Sequence, residues 1–177
     1  FTSTGSSVGV EFYNCEAIGC SGNATSGVTA TGFHFDSSNG CLMQDCFSSG
    51  HEGSRFAYGV YMTGCTGNTV KNCKTSYNRP YAVASTTVVA GFYSAAGVAN
   101  SFENCESFGN LSGANATAKV AGFMFDTGEK QSTIINCTAR GNGSLTQAGV
   151  SHGFLLTVNS RFCYVRGCNA IANASAT

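Results

Sequence analysis

Apolar and polar positions along this chain keep a short phase around a recurring Asn-Cys dipeptide. Three residues before that cysteine stand Phe12, Met43, Val70, Phe102, Ile134 and Val165, all apolar. Two residues after it stand Ala17, Ser48, Thr75, Ser107, Ala139 and Ala170, all small. Between the cysteine and the small residue the chain is mostly polar: Glu16, Phe47, Lys74, Glu106, Thr138 and Asn169. Alternation with a period of two is the pattern of a half-buried strand. It predicts that the cysteine and the residue two on face inward. A second segment alternates likewise after a recurring Gly-Phe. There Phe1, Phe33, Val60, Phe92, Phe123 and Phe154 are expected to face in, with Phe35, Met62, Phe125 and Leu156 two residues later.

These landmarks define a repeat. Asn14-Cys15, Asn72-Cys73, Asn104-Cys105 and Asn136-Cys137 share one slot, which Asp45-Cys46 and Gly167-Cys168 also fill. The six cysteines are 31, 27, 32, 32 and 31 residues apart by subtraction. Gly32, Gly59, Gly91, Gly122 and Gly153 precede the next of them by 14, 14, 14, 15 and 15 residues. All the larger length variation therefore falls on the connection after the cysteine segment. Short strands, no helical periodicity and a coil of about 31 residues fit a solenoid of parallel strands, in which stacking supplies the core that no single coil can bury. The expectation is an all-β single domain over residues 1–177 with about six coils, either a segment of a longer chain or the subunit of a stacked filament. Equivalent residues would lie about 4.8 Å apart along the stack. The asparagines before the cysteine, and Asn78, Asn110, Asn142 and Asn173 five residues after it, suit turns where amides tolerate left-handed backbone and hydrogen-bond along the stack.

The pattern Gly-Phe, then Asn-Cys-x-Ala/Ser, then Gly-Asn resembles the right-handed parallel β-helix of the pectin-lyase-like superfold. It is similar to Asn-Cys/Gly-Phe repeat arrays in β-helix surface proteins of intracellular bacteria and large DNA viruses. The resemblance covers the whole chain and implies the fold. It says little of activity, since the superfold hosts lyases, hydrolases, adhesins, tailspikes and fibres.

Ten cysteines among 177 residues could be disulfides, metal ligands or core. Neighbours in register point their Cβ vectors in parallel, a poor disulfide geometry. No C-x₂-C pair exists and the three histidines are scattered, so no metal or cofactor is expected. Cys15, Cys46, Cys73, Cys105, Cys137 and Cys168 read instead as small residues filling one interior column. Cys20, Cys41, Cys65 and Cys163 lie off it, and their state stays open. Free thiols favour a reducing compartment, although buried thiols also survive outside cells.

Charged residues make up only 10% of the chain, and nine acids balance nine bases. That balance gives no basic footprint for nucleic acid, and no apolar run reaches the roughly 20 residues of a membrane span. Pectate lyases and polygalacturonases, within the resembled superfold, use clustered carboxylates. Here Glu16 and Glu106 share a column three coils apart, as do Asp36 and Asp126, which at about 14 Å exceeds an inverting pair. Glu103 and Glu106 face Lys71 and Lys74 one coil below and read as a surface charge ladder. His34, His51 and His152 fall in different columns, so no catalytic triad or other enzyme constellation is expected.

Two features remain. An outward column reads His34, Tyr61, Tyr93, Met124 and Leu155, a stripe able to stack on a glycan or a neighbouring rod unless loops cover it. Six N-x-S/T sequons occur. Asn136 sits in the turn ladder; Asn23 and Asn115 in loops are the best glycan acceptors. Asn110, Asn142 and Asn173 would carry glycans in a line along one edge. The functional expectation is a structural protein outside cells or on a cell or particle surface: a β-helical fibre or fibre-forming subunit that self-associates end to end. The alternative is a carbohydrate-binding or carbohydrate-cleaving β-helix, or a segment of an adhesin or viral spike.

Overall fold

The structure, a computed structural model, describes residues 1–21, 29–80, 86–112, 117–144 and 149–175. Among them the chain is entirely strands and turns, and every strand pairs in parallel with its equivalent one repeat away. Three six-stranded sheets result, making about five full turns of coil. The first sheet holds Thr2–Ser3, Thr29–Asp36, Phe56–Thr63, Thr86–Ala95, Thr117–Asp126 and Val150–Leu156. The second holds three-residue strands from Glu11–Tyr13 to Tyr164–Arg166, and the third those from Glu16–Ile18 to Asn169–Ile171.

The apolar columns close on one core. Phe33, Phe92, Phe102, Phe123, Phe125, Met43, Met62, Val60, Val70 and Ile134 are buried together with the middle cysteines. Stacking in register makes rings overlap: Phe92 and Phe123 are 4.7 Å apart and nearly coplanar, and Phe1 lies 4.9 Å from Phe33. Offset ring pairs of this kind add to the stabilisation from buried area.

The Gly-Phe landmark has a steric cause. Strict alternation would turn one of the two residues outward, yet both face in. A Cβ at Gly91 would lie 2.0 Å from Ser107 Oγ and 2.3 Å from Thr75 Oγ1; one at Gly122 would lie 2.6 Å from Ala139 Cβ. The first sheet thus bends at its glycine against the small residues two after each cysteine. Two separate columns of the sequence are the two sides of one backbone approach.

The corners follow a common rule. A left-handed residue is followed by an inward side chain that, from coil to coil, can accept a backbone N–H of the preceding coil. After the second sheet the left-handed residues are Asn14, Asp45, Asn72, Asn104, Asn136 and Gly167, with φ between 50° and 64°. The cysteines follow them. After the third sheet they are Gly19, Gly50, Tyr77, Gly109, Gly141 and Ala172, followed by Cys20, His51, Asn78, Asn110, Asn142 and Asn173. After the first sheet they are Gly9, Gly40, Gly67, Ala99, Gln131 and Phe162, followed by Val10, Cys41, Asn68, Asn100, Ser132 and Cys163. Nine of the ten cysteines occupy such inward corner positions; Cys65 is the exception.

Candidate functional site

The interior columns are hydrogen-bonding ladders as well as packing. Cys15 N–H donates to Cys46 Sγ at 3.4 Å, Cys46 N–H to Cys73 Sγ at 3.4 Å, and Cys137 N–H to Cys168 Sγ at 3.3 Å. Each thiol in turn donates to a carbonyl, as Cys137 does to Ile135 O at 3.2 Å. The expectation of plain core filler missed this: cysteine serves here as a small acceptor for a corner N–H that the strand ladder leaves over. All ten cysteines are free thiols. Burial pushes the Cys46 thiol up to about 11, so it is protonated at neutral pH and not a nucleophile.

Asparagine runs the neighbouring corner. Asn78 and Asn110 Nδ2 each donate at 2.7 Å to the Oδ1 of Asn110 and Asn142, and Asn142 Nδ2 donates at 2.7 Å to Asn173 Oδ1. The same oxygens accept backbone N–H groups from the coil before. Asn78, Asn110 and Asn142 are 0% exposed. This overturns the expected line of glycans on Asn110, Asn142 and Asn173. Their amide nitrogens point into the coil and are engaged, Asn173 Nδ2 with Ala139 O at 3.0 Å, and the sequon serines Ser112 and Ser144 are buried as well. Asn23 and Asn115 lie outside the described residues.

His51 replaces an asparagine of that corner. Its Nδ1 accepts Cys20 N–H at 3.1 Å, which leaves the proton on Nε2, 2.8 Å from Ser48 Oγ. Burial pushes its pKa down to about 4, so the ring is neutral. At the corner after the first sheet, the fully buried Glu129 accepts from Gly97 N–H at 2.9 Å, from Asn100 Nδ2 at 3.1 Å and from Ser132 Oγ. A side chain at residue 97 would sit 2.9 Å from that carboxylate, so glycine and glutamate form a matched pair.

The outward stripe of His34, Tyr61, Tyr93, Met124 and Leu155 runs in register up the first sheet. Its rings lean on one another. Tyr61 and Tyr93 are 5.2 Å apart, His34 and Tyr61 5.0 Å, and Tyr58 packs 4.9 Å from Tyr61 and 4.8 Å from Tyr93. Met124 is fully buried, and the others are half-buried. Tyr93 Oη donates to Asp126 Oδ2 at 3.0 Å, and Asp126 Oδ1 accepts Thr127 N–H at 2.8 Å and Thr157 Oγ1 at 3.0 Å. Burial opposes ionisation of Asp126, but these donors prevail and hold its carboxyl below the usual range. Burial, with the Asp126 charge behind it, pushes the Tyr93 hydroxyl up. A stabilised carboxylate and a neutral phenol make a weak base and a weak acid at neutral pH. Asp36 shares the Asp126 column three coils away. Among the described residues no group of three or more His, Cys, Asp and Glu is placed to hold a metal ion.

The outer face of the third sheet carries what the columns alone did not disclose. Glu106 takes Lys74 Nζ at 3.6 Å from the coil below and Arg140 Nε at 2.7 Å from the coil above, and the Arg140 guanidinium lies 4.7 Å over the Phe108 ring. Tyr77 holds φ 53° in a corner column otherwise built of glycine and one alanine, and its ring lies over Gly109. An open hollow of about 210 Å³ there is lined by Gly50, Glu52, Tyr77, Arg79, Gly109 and Leu111.

In-register parallel strands, three corner ladders and a closed apolar interior define a parallel β-solenoid. The family model described as a right-handed beta helix region matches residues 4–177. The chain belongs to that family, which fixes the hand of the coil. No curated protein matches the chain. No helix is long and apolar enough to cross a membrane, among the described residues.

Proposed function

We propose that this chain is a structural surface element, a β-helical rod that serves as a fibre-forming subunit outside cells or on a cell or particle surface. One observation carries the reading: the columns buried between interior coils lie open on the first and last coils. Phe102 and Ile134 are fully buried, whereas Val165 of the same column is 41% exposed and Phe1 is 53% exposed. Open strand edges backed by an apolar core are templates for further pairing. The rest of the surface supports the same reading. The aromatic stripe spends its ring faces on itself, where sugar stacking requires an open face, and its ionisable groups favour neither acid nor base chemistry. The test is light scattering and electron microscopy of the 177-residue chain over rising concentration. Elongated species that lengthen with concentration are expected; a chain that remains a single short particle at high concentration overturns the proposal.

A further inference from the structure

The zero net charge conceals a polarity along the rod. Before residue 55 the chain carries Glu11, Glu16, Asp36, Asp45 and Glu52 and no Lys or Arg. After residue 129 it carries Lys130, Arg140, Arg161 and Arg166 and no Asp or Glu. Coils stack in sequence order, so one end of the rod is acidic and the other basic.

The end strands also repeat a contact found within the stack. Inside, Glu106-Ser107-Phe108 lies on one coil and Arg140, in the Phe108 column, on the next. Arg140 covers the ring and reaches diagonally to Glu106 at 2.7 Å. Glu11-Phe12-Tyr13 on the first coil has the same order of carboxylate, inward residue and ring. The Tyr13 column runs through Gln44, Lys71, Glu103 and Ile135 to Arg166 on the last coil. Extending the register by one coil sets Arg166 of one copy over Tyr13 of the next and diagonal to its Glu11. The same step brings Val165 onto Phe12, Phe154 onto Phe1 and Ile171 onto Ile18. Cys168 N–H then meets Cys15 Sγ, continuing the cysteine ladder.

We propose that the occupant of the last coil's open face is the first coil of a second copy, docked head to tail through Arg166 on Glu11 and Tyr13. This rests on the reading of the chain as a fibre-forming subunit and adds direction to it. Apolar columns and strand edges supply the adhesion. The charges select the orientation, since exposed pairs are individually weak but like charges brought together oppose a wrong docking. A head-to-head junction would set Glu11 and Glu16 against their own copies. A head-to-tail junction is heterologous and does not close, so it propagates.

The test is a charge exchange. Glu11→Arg and Arg166→Glu, each alone, place like charges at every junction and are expected to raise the assembly concentration roughly tenfold in light scattering. Mixed one to one, they restore opposite charges at alternating junctions, and rods should return at the parent's concentration. Both sites are exposed, and circular dichroism checks that each variant folds; if either does not, Glu11→Gln and Arg166→Gln should still raise the threshold several-fold. Rods that form equally well from the single variants, or parent particles that stop at two copies, overturn the docking while the fibre reading stands. A parent chain that never assembles overturns both.

Discussion

Two columns of asparagine run up this solenoid one corner apart, and they do opposite work. Asn14, Asn72, Asn104 and Asn136 are exposed and hold left-handed backbone before each cysteine. Their side chains touch only lightly along the stack, Asn72 Nδ2 to Asp45 at 3.1 Å and Asn104 Nδ2 to Asn72 at 3.4 Å. Asn78, Asn110 and Asn142 have ordinary φ, are sealed inside, and accept both a backbone and a side-chain N–H from the coil before. The outer column uses asparagine for its backbone tolerance, the inner one for its amide. The left-handed residue decides which role falls where: Asn itself at one corner, the glycine before it at the other.

The largest expected break of this comparison is Asn142→Gly. It removes the acceptor of Asn110 N–H and Nδ2, and the donor to Asn173 Oδ1, inside the coil. Each buried group left without a partner costs about 1–3 kcal/mol. A total loss of about 3 kcal/mol or more is expected in chemical denaturation, with local loosening of the last two coils.

His51→Asn sharpens the comparison by restoring the usual residue of the inner column. Asn110 Nδ2 donates to Ser107 Oγ at 2.9 Å, as His51 Nε2 does to Ser48 Oγ, so asparagine fits the site. The histidine's folded pKa is lowered to about 4 from the ordinary 6.5. The unfolded chain therefore binds the proton first as pH falls, and stability drops between about pH 6.5 and 4. The group's share of that loss is on the order of 3 kcal/mol by pH 4. The variant should melt close to the parent at pH 7.5 and above it at pH 4.5. Parallel melting curves across that range would show that His51 does not set the acid limb.

Much of this was legible in the chain. The phase of Phe12, Met43 and Phe102 with their cysteines gave the strands, the inward columns and the coil length. What escaped was the parity across corners. Alternation fixes faces within a strand, but one left-handed residue resets which face follows. Asn110 and Asn142 therefore read as turn amides open to glycans when they are interior acceptors. Gly32 and Phe33 both turn in for a related reason: the face of a glycine is set by what approaches it, here Ser48 and His51, and no local pattern encodes that. The stripe of Tyr61 and Tyr93 was correctly placed outward, but its packing against Tyr58 depends on the bend at the glycine.

The smallest effect belongs to the outer column and is the decisive control. Asn104→Gly keeps the left-handed backbone, which glycine adopts freely, and gives up one long side-chain contact of 3.4 Å in water. The sixth coil already makes this exchange: Gly167 stands in the same column at φ 64°. Lost unfolded-state restriction and the lost contact together should cost no more than about 0.5 kcal/mol. Asn104→Val, by contrast, forces a β-branched residue into the left-handed region and should cost about 1–3 kcal/mol. The same Asn→Gly change would then be nearly silent at residue 104 and severe at residue 142. If the two glycine variants unfold at similar denaturant concentrations, the division of labour between backbone tolerance and amide bonding fails, because a shared cost would mean both columns act through the same contact.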